Sequence, residues 1–253
     1  MLLECRALDV NVGGRHLIQH LDLTLGAGNL LAVLGPNGAG KTLLMHTLAG
    51  MRAASGGEIL IRGLNLGGWQ RRELACELAL LPQNVEDPFP ATVLETVLLG
   101  RHPHISRWRW ESAEDVSVAM AAIDSVGLRG YEYRDVFTLS GGERRRAAIA
   151  AVFAQSPHIF LMDEPTNHLD PSHQLEVLKL LRERADAGAA VIVTIHDANL
   201  AARFADQALL IEPQGAWTCG SARQTINAEN LSRLYCTDFG SVEQDGRRIF
   251  FQA

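Results

Sequence analysis

The chain has 253 residues, 47% of them hydrophobic, enough for one large α/β domain or two small ones around a buried core. Lys and Arg number 23 against 29 Asp and Glu, a net charge of −6 without a long basic tract, so the usual electrostatic footprint of a nucleic-acid binder is missing. The four cysteines, Cys5, Cys76, Cys219 and Cys236, have no paired spacing and suit reduced packing thiols better than a disulfide or zinc framework.

The N-terminus has no charged segment followed by an apolar run and a small-residue cleavage site, and the mature chain is expected to start at Met1. Residues 2–25 alternate apolar and polar side chains around Gly13-Gly14, the pattern of half-buried antiparallel strands. Residues 30–34 are apolar and run into Gly35-Pro36-Asn37-Gly38-Ala39-Gly40-Lys41-Thr42, followed by leucines and Met45 at helical spacing. Residues 58–63 read as another strand of the antiparallel layer, residues 70–74 as a basic helix, and residues 78–81 as a buried strand ending at Pro82-Gln83.

Near residue 88 the pattern changes to helix and stays so to about residue 157, which marks an inserted helical unit. From His158 strands at 159–162, 190–195 and 208–211 alternate with helices at 173–187 and 199–205, predicting a parallel sheet covered on both faces. After Pro213 the periodicity weakens into a tail with Leu231, Leu234, Tyr235 and a last strand at 248–251. The expected layout is one domain: core and antiparallel layer at 1–87 and 158–212, helical unit at 88–157, tail at 213–253. The apolar runs at 147–154 and 189–195 fall short of the roughly 18 residues of a spanning helix, so any role at a membrane would pass through a partner.

The stretch Gly35 to Thr42, between a strand and a helix, is a P-loop. Its glycines let successive N–H groups converge on one concavity, where a Cβ would occlude phosphates. Lys41 adds a mobile positive charge, and the Thr42 hydroxyl is a hard oxygen ligand for Mg²⁺. Residues 159–162 form an apolar strand ending in two carboxylates, placing Asp163 to orient the Mg²⁺ shell and Glu164 toward an attacking water. Leu139-Ser140-Gly141-Gly142-Glu143 opens a helix with capping-box spacing, and its two glycines bare backbone N–H groups as a second anion site.

Taken in order, Gly35–Thr42, Gln83, Leu139–Glu143, Asp163-Glu164 and His196 resemble the motifs of ATP-binding cassette ATPases, over essentially the whole chain. The resemblance implies a P-loop α/β fold with a mixed core sheet, an antiparallel β subdomain and an α-helical signature subdomain. It implies ATP and Mg²⁺ as ligands, Gln83 joining metal and water to a membrane partner, and His196 contacting the γ-phosphate. Asp170 would reach across a homodimer in which each Leu139–Glu143 motif faces the partner's P-loop. Where such proteins commonly stack an aromatic on adenine this chain has Val12, leaving Arg15 or His16 to meet the base.

The run 100–104, the Asn167-His168-Leu169-Asp170 segment with His173-Gln174, and the single cassette look like importer ATPases for ferric siderophores, haem or cobalamin. Cobalamin is favoured on the likeness of residues 108–112, and Glu86-Asp87 and Trp108-Arg109-Trp110 are candidates for docking a permease. The expected partners are transmembrane permease subunits and a periplasmic or lipid-anchored binding protein, at the cytoplasmic face of the membrane. A soluble ATPase acting on nucleic acid or the ribosome is the alternative. His102, His104, His168 and His173 lack metal spacing and read as surface or packing groups.

Overall fold

The alternating N-terminal stretch forms β1 (Leu3–Val12) and β2 (Arg15–Leu25), joined by Gly13 and Gly14, whose φ values of 54° and 76° are the left-handed ones a tight hairpin turn requires. The computed structural model describes residues 1–84, 90–106, 109–244 and 246–253. β3 (Leu30–Leu34) runs into helix α1 (Lys41–Leu48), and β4 (Gly56–Ile61) and β5 (Leu64–Asn65) return to the first layer, giving an antiparallel sheet ordered β2-β1-β4-β5. Helix α2 (Arg71–Glu77) then leads into β6 (Leu78–Leu81).

The helical unit consists of α3 (Val93–Leu98), α4 (Ala113–Ser125) and α5 (Gly141–Gln155), packed on one another. Each opens with a capping box, Thr92 with Glu95, Ser112 with Asp115, and Ser140 with Glu143. Arg101 Nε donates to Asp115 Oδ1 at 2.9 Å and its Nη1 to the Ala154 carbonyl at 2.7 Å, so one buried guanidinium ties the segment after α3 to α4 and α5.

The strand–helix rhythm resumes with β7 (Ile159–Met162), α6 (Pro171–Asp186), β8 (Ala190–Thr194), α7 (Ala198–Phe204) and β9 (Gln207–Ile211). The chain continues through β10 (Trp217–Ser221), α8 (Ala222–Thr225), α9 (Ala228–Tyr235) and the hairpin of β11 (Phe239–Gln244) with β12 (Arg247–Gln252). The expected tail after residue 212 is therefore revised, because β10 pairs antiparallel with β9 and is the sixth strand of the core sheet. An edge strand with half-buried side chains needs no long apolar run, and so its periodicity is weak.

The core sheet is ordered β10-β9-β3-β8-β7-β6 and is parallel except at β10. Along its central strands alternate residues enter two different cores. Leu31, Val33, Ile159, Leu161 and Ile192 face the antiparallel sheet and α1, whereas Ala32, Leu34, Phe160, Met162 and Val193 face the helices. Burial on both faces explains why these strands read as unbroken apolar runs. The parallel strands share one carboxyl edge, where the loops after β3, β6, β7 and β8 bring the P-loop, Gln83, Asp163-Glu164 and His196 together.

Candidate active site

Lys41 opens α1 and is 5% exposed; its Nζ donates to the carbonyls of Gly35 at 2.8 Å and Pro36 at 3.2 Å, two consecutive residues at the start of the loop. Burial holds its pKa below the ordinary lysine value, against the opposing influence of Glu164 and Asp163. The glycines differ in what they permit. A Cβ on Gly35 would lie 2.6 Å from the Ile211 carbonyl and one on Gly40 3.0 Å from Leu17 Cβ, so these two let the loop pack against β9 and β2. Gly38, at φ 80°, has open space where a side chain would stand, and its left-handed backbone is what favours glycine there.

Beside the loop, a cavity of about 460 Å³ is walled by Arg15, His16, Gln19, Pro36, Asn37 and Ala39. Its size suits a nucleoside. His16 is steadied by Asn11, Nδ1 lying 3.0 Å from Oδ1, while Val12 is 41% exposed.

The carboxylates behind the P-loop are held differently. Asp163 is fully buried; its Oδ1 accepts the Thr194 hydroxyl at 2.6 Å, and its Oδ2 is buried without a hydrogen-bond partner. An orphaned carboxylate oxygen carries a desolvation cost that a cation would relieve. The Thr42 hydroxyl and Gln83 Oε1 lie 3.4 Å apart. One carboxylate, one hydroxyl and one amide oxygen, completed by phosphate oxygens, is a donor set that fits Mg²⁺. Among the described residues there is no cluster of three or more His, Cys, Asp or Glu that would hold a metal without a substrate.

Glu164 is 5% exposed and sits at φ 49°, in the left-handed region that costs a non-glycine residue about 1–3 kcal/mol. Its carboxylate is fixed from both sides: Gln83 Nε2 donates to Oε2 at 2.9 Å, Asn167 Nδ2 also donates to Oε2, and His196 Nε2 lies 2.8 Å from Oε1. Gln83, Glu164 and His196, taken from three separate strand ends, thus form one hydrogen-bonded cluster.

Three further residues hold this cluster. Thr194 Oγ1 accepts the Glu164 backbone N–H at 2.7 Å while donating to Asp163. Arg145 on α5, 5% exposed, donates through Nη1 to the carbonyls of Pro82 at 2.7 Å and Gln83 at 3.1 Å, and through Nη2 to those of Asp163 at 2.6 Å and Glu164 at 2.9 Å. Burial pulls its pKa down to about 10, with Asp163 and Glu164 opposing. Asn167 stands out in the sequence only as the first residue of the segment that ends in Asp170, and Thr194 and Arg145 carry no familiar motif. Their signals were a single hydroxyl in an apolar strand, and a charge at helical spacing with the buried Ile149 and Val152.

The second anion motif lies elsewhere. Ser140 accepts from the Glu143 N–H at 3.3 Å and Glu143 accepts from the Ser140 N–H at 2.8 Å, so the box satisfies itself. Leu139 is buried, Ser140 and Gly141 are exposed, and a Cβ on Gly142 would lie 3.4 Å from Leu169 Cδ2. Among the described residues no hydrogen bond joins Leu139–Glu143 to the chain's own P-loop. Asp170 is exposed and caps α6, accepting from the His173 N–H at 3.0 Å, the Ser172 hydroxyl at 2.7 Å and facing His173 Nδ1 at 2.7 Å. These contacts hold its carboxyl well below the usual carboxylate range.

One expectation about packing is corrected. Cys236 is exposed and ends α9 in a left-handed turn, so only Cys5, Cys76 and Cys219 pack. Burial raises the Cys5 thiol to about 12. Trp110, a docking candidate, is 89% exposed; Trp108 and Glu86-Asp87 lie outside the described residues.

Residues 18–167 match the ABC transporter family. The hemin import ATP-binding protein HmuV of Myxococcus xanthus is 40% identical over 97% of this chain and 94% of its own length. The cobalamin import ATP-binding protein BtuD of Halobacterium salinarum is 33% identical over 93% of this chain and 59% of its own length. Among solved structures, a metal-chelate type ABC transporter in an inward-facing conformation superposes with a TM-score of 0.86 at 29% identity, covering 100% of this chain and 96% of that one. With the P-loop, the paired carboxylates and the helical unit in their places, the chain belongs to the ABC transporter family and is one of its ATPases.

Proposed function

We propose that this chain is the ATP-hydrolysing subunit of a membrane importer of metal chelates of the hemin and cobalamin class. The observation that carries the catalytic reading is the convergence of Gln83, Asn167 and His196 on Glu164 beside the P-loop. The amides of Gly35, Pro36, Asn37, Gly38, Ala39 and Gly40 and the ammonium of Lys41 bind the β- and γ-phosphates. Thr42, Gln83 and Asp163 would hold Mg²⁺. When bound, Mg²⁺ would neutralise charge on the phosphate oxygens and lower the barrier to attack of water at the γ-phosphorus, with ADP as the leaving group. Glu164 orients the water and takes its proton, His196 steadies the γ-phosphate, and Gln83 reports occupancy toward the permease. Arg15 and His16, which line the adjoining cavity, meet the adenine.

The Leu139–Glu143 motif completes the site of a second copy, with Asp170 reaching across, because among the described residues no hydrogen bond joins the motif to the P-loop of its own chain. Permease docking is supported by a groove of about 300 Å³ walled by Leu81, Pro82, Leu99, Gly100 and Val152, which begins one residue before Gln83. Among the described residues no helix is long and apolar enough to cross a membrane. In this reading the subunit sits on the cytoplasmic face against its permease, served by a substrate-binding protein on the other side. The relatives named above are importers, and nothing favours the nucleic-acid alternative.

On cargo, hemin stands ahead of cobalamin. The hemin relative is 40% identical over nearly its whole length, the cobalamin relative 33% over 59% of its own. The decisive variant is Glu164→Gln. It should keep MgATP affinity while turnover falls by about two orders of magnitude or more. Hydrolysis at the original rate would remove Glu164 from its role. Vesicles carrying the neighbouring permease, assayed with hemin and with cobalamin, test the cargo, since only the true substrate should stimulate phosphate release.

A further inference from the structure

A cavity of about 870 Å³ lies between α7, α8 and β12, and none of its walls belongs to the P-loop. That volume falls in the range of small-molecule sites. Its floor is apolar: Ile226 and Phe250 are 1% and 5% exposed, and Phe204 is half-buried beside them. Its rim carries the exposed Arg203, Arg223 and Arg248. Among the described residues none of these three guanidiniums makes an ion pair or side-chain hydrogen bond; Arg203 lies over the Phe204 ring at 5.2 Å.

Arg182, which also reaches the wall, is different, being taken up by Asp186, Asp206 and the Gly28 carbonyl. Glu243 is the one carboxylate among the described lining residues; it faces Arg248 across the hairpin without an ion pair to it. In a chain of net charge −6, three cations without ion pairs against one carboxylate, among the described lining residues, invert the local balance. Solvated surface arginines would explain the charge alone. They do not explain a cavity floored by buried aliphatic and aromatic side chains under that charge.

The cavity is also joined to the catalytic cluster. Asn199 Nδ2 donates to the Phe250 carbonyl at 3.0 Å and its Oδ1 accepts the Phe250 N–H at 2.7 Å, which pins β12 to α7. Helix α7 begins at Ala198, two residues after His196, and His196 holds Glu164.

We infer that this cavity binds a small amphipathic dianion, its flat apolar body on Phe204, Ile226 and Phe250 and its acidic groups on Arg203, Arg223 and Arg248, and that the occupant slows ATP turnover by holding α7. Guanidinium forks suit carboxylates, and aromatic floors suit planar rings. The inference does not depend on which chelate the transporter moves.

The probe is mesoporphyrin, a metal-free planar ring with two carboxylates, titrated into the intact chain by quenching of tryptophan fluorescence, with ATPase measured in parallel. Saturable binding at one site is expected, with turnover falling as the site fills. The double variant R223E/R248E should bind about tenfold more weakly or worse, and R223K/R248K should retain most of the affinity, which guards against misfolding of the first variant. Binding by R223E/R248E within about twofold of the parent would overturn the site. Binding with unchanged turnover would overturn the link through α7. Loss of co-sedimentation with phosphatidylglycerol vesicles in the variant, with no porphyrin binding by the parent, would overturn the proposal in favour of a lipid-facing surface.

Discussion

Glu164 is held in a backbone conformation it would not choose alone, and the residues that enforce it are the ones without a recognisable motif. Thr194 takes its N–H and Arg145 takes its carbonyl, and the same guanidinium clamps the carbonyls of Pro82 and Gln83. A planar five-donor fork can serve four carbonyls at once, which an ammonium cannot. Arg145→Met keeps much of the volume and removes the fork. We expect kcat to fall about tenfold or more with the KM for ATP within about threefold, because the P-loop is untouched while Gln83 and Glu164 lose their register. Arg145→Lys should recover part of kcat. A purely structural role would lower the yield of folded protein and leave kcat per folded molecule unchanged. The pair Asp163-Glu164 was legible because a strand ending in two acids after a P-loop is a local pattern. Arg145 was not, since its four partners come from two distant loops.

At the scale of elements, the helical unit depends on its starts. The three capping boxes satisfy N–H groups that would otherwise point at nothing, and each is worth roughly 0.5–2 kcal/mol. At α4 the Ser112 hydroxyl and N–H, joined by the Arg101 side chain, pull Asp115 from 3.8 down to about 2. A carboxyl depressed in the folded state stabilises fully above its unfolded pKa, and that contribution is lost as pH falls through the folded one. The capping carboxyls Glu95 and Glu143 are shifted the same way by Thr92 and Ser140. Thermal melts should therefore show stability dropping as pH falls from about 4 to about 2, with Ser112→Ala costing about 1 kcal/mol at neutral pH and a shallower acid loss. An equally steep acid loss in Ser112→Ala would separate the effect from this cap. Helices and strands were readable in the sequence because their apolar periods and caps are local; β10 was not, because an edge strand is defined by the neighbour it pairs with.

Across the whole molecule, the two anion sites do not meet within one chain. The P-loop closes around Lys41, whereas Ser140 and Gly141 stand exposed at the start of α5 and Asp170 stands exposed at the start of α6. In the proposed reading a second copy completes the site, and nucleotide that touches both surfaces would favour the closed pair. Light scattering on Glu164→Gln should report a doubled mass with MgATP and a single chain without nucleotide. A single chain under both conditions, with ATP shown to be bound, would count against the two-chain site.

The sequence by itself determined the phosphate-binding turn, the strand that ends in Asp163-Glu164, the capped start of α5 and the strand–helix alternation of the parallel core, because each is written in contiguous residues as a period, a cap or a glycine. Only the tertiary structure decided that Gln83, Asn167 and His196 meet at Glu164, that Arg145 braces them from the helical unit, and that β10 closes the sheet. Those facts depend on which strand ends lie side by side, and hydrogen bonds spanning up to 81 positions leave no local periodicity to read.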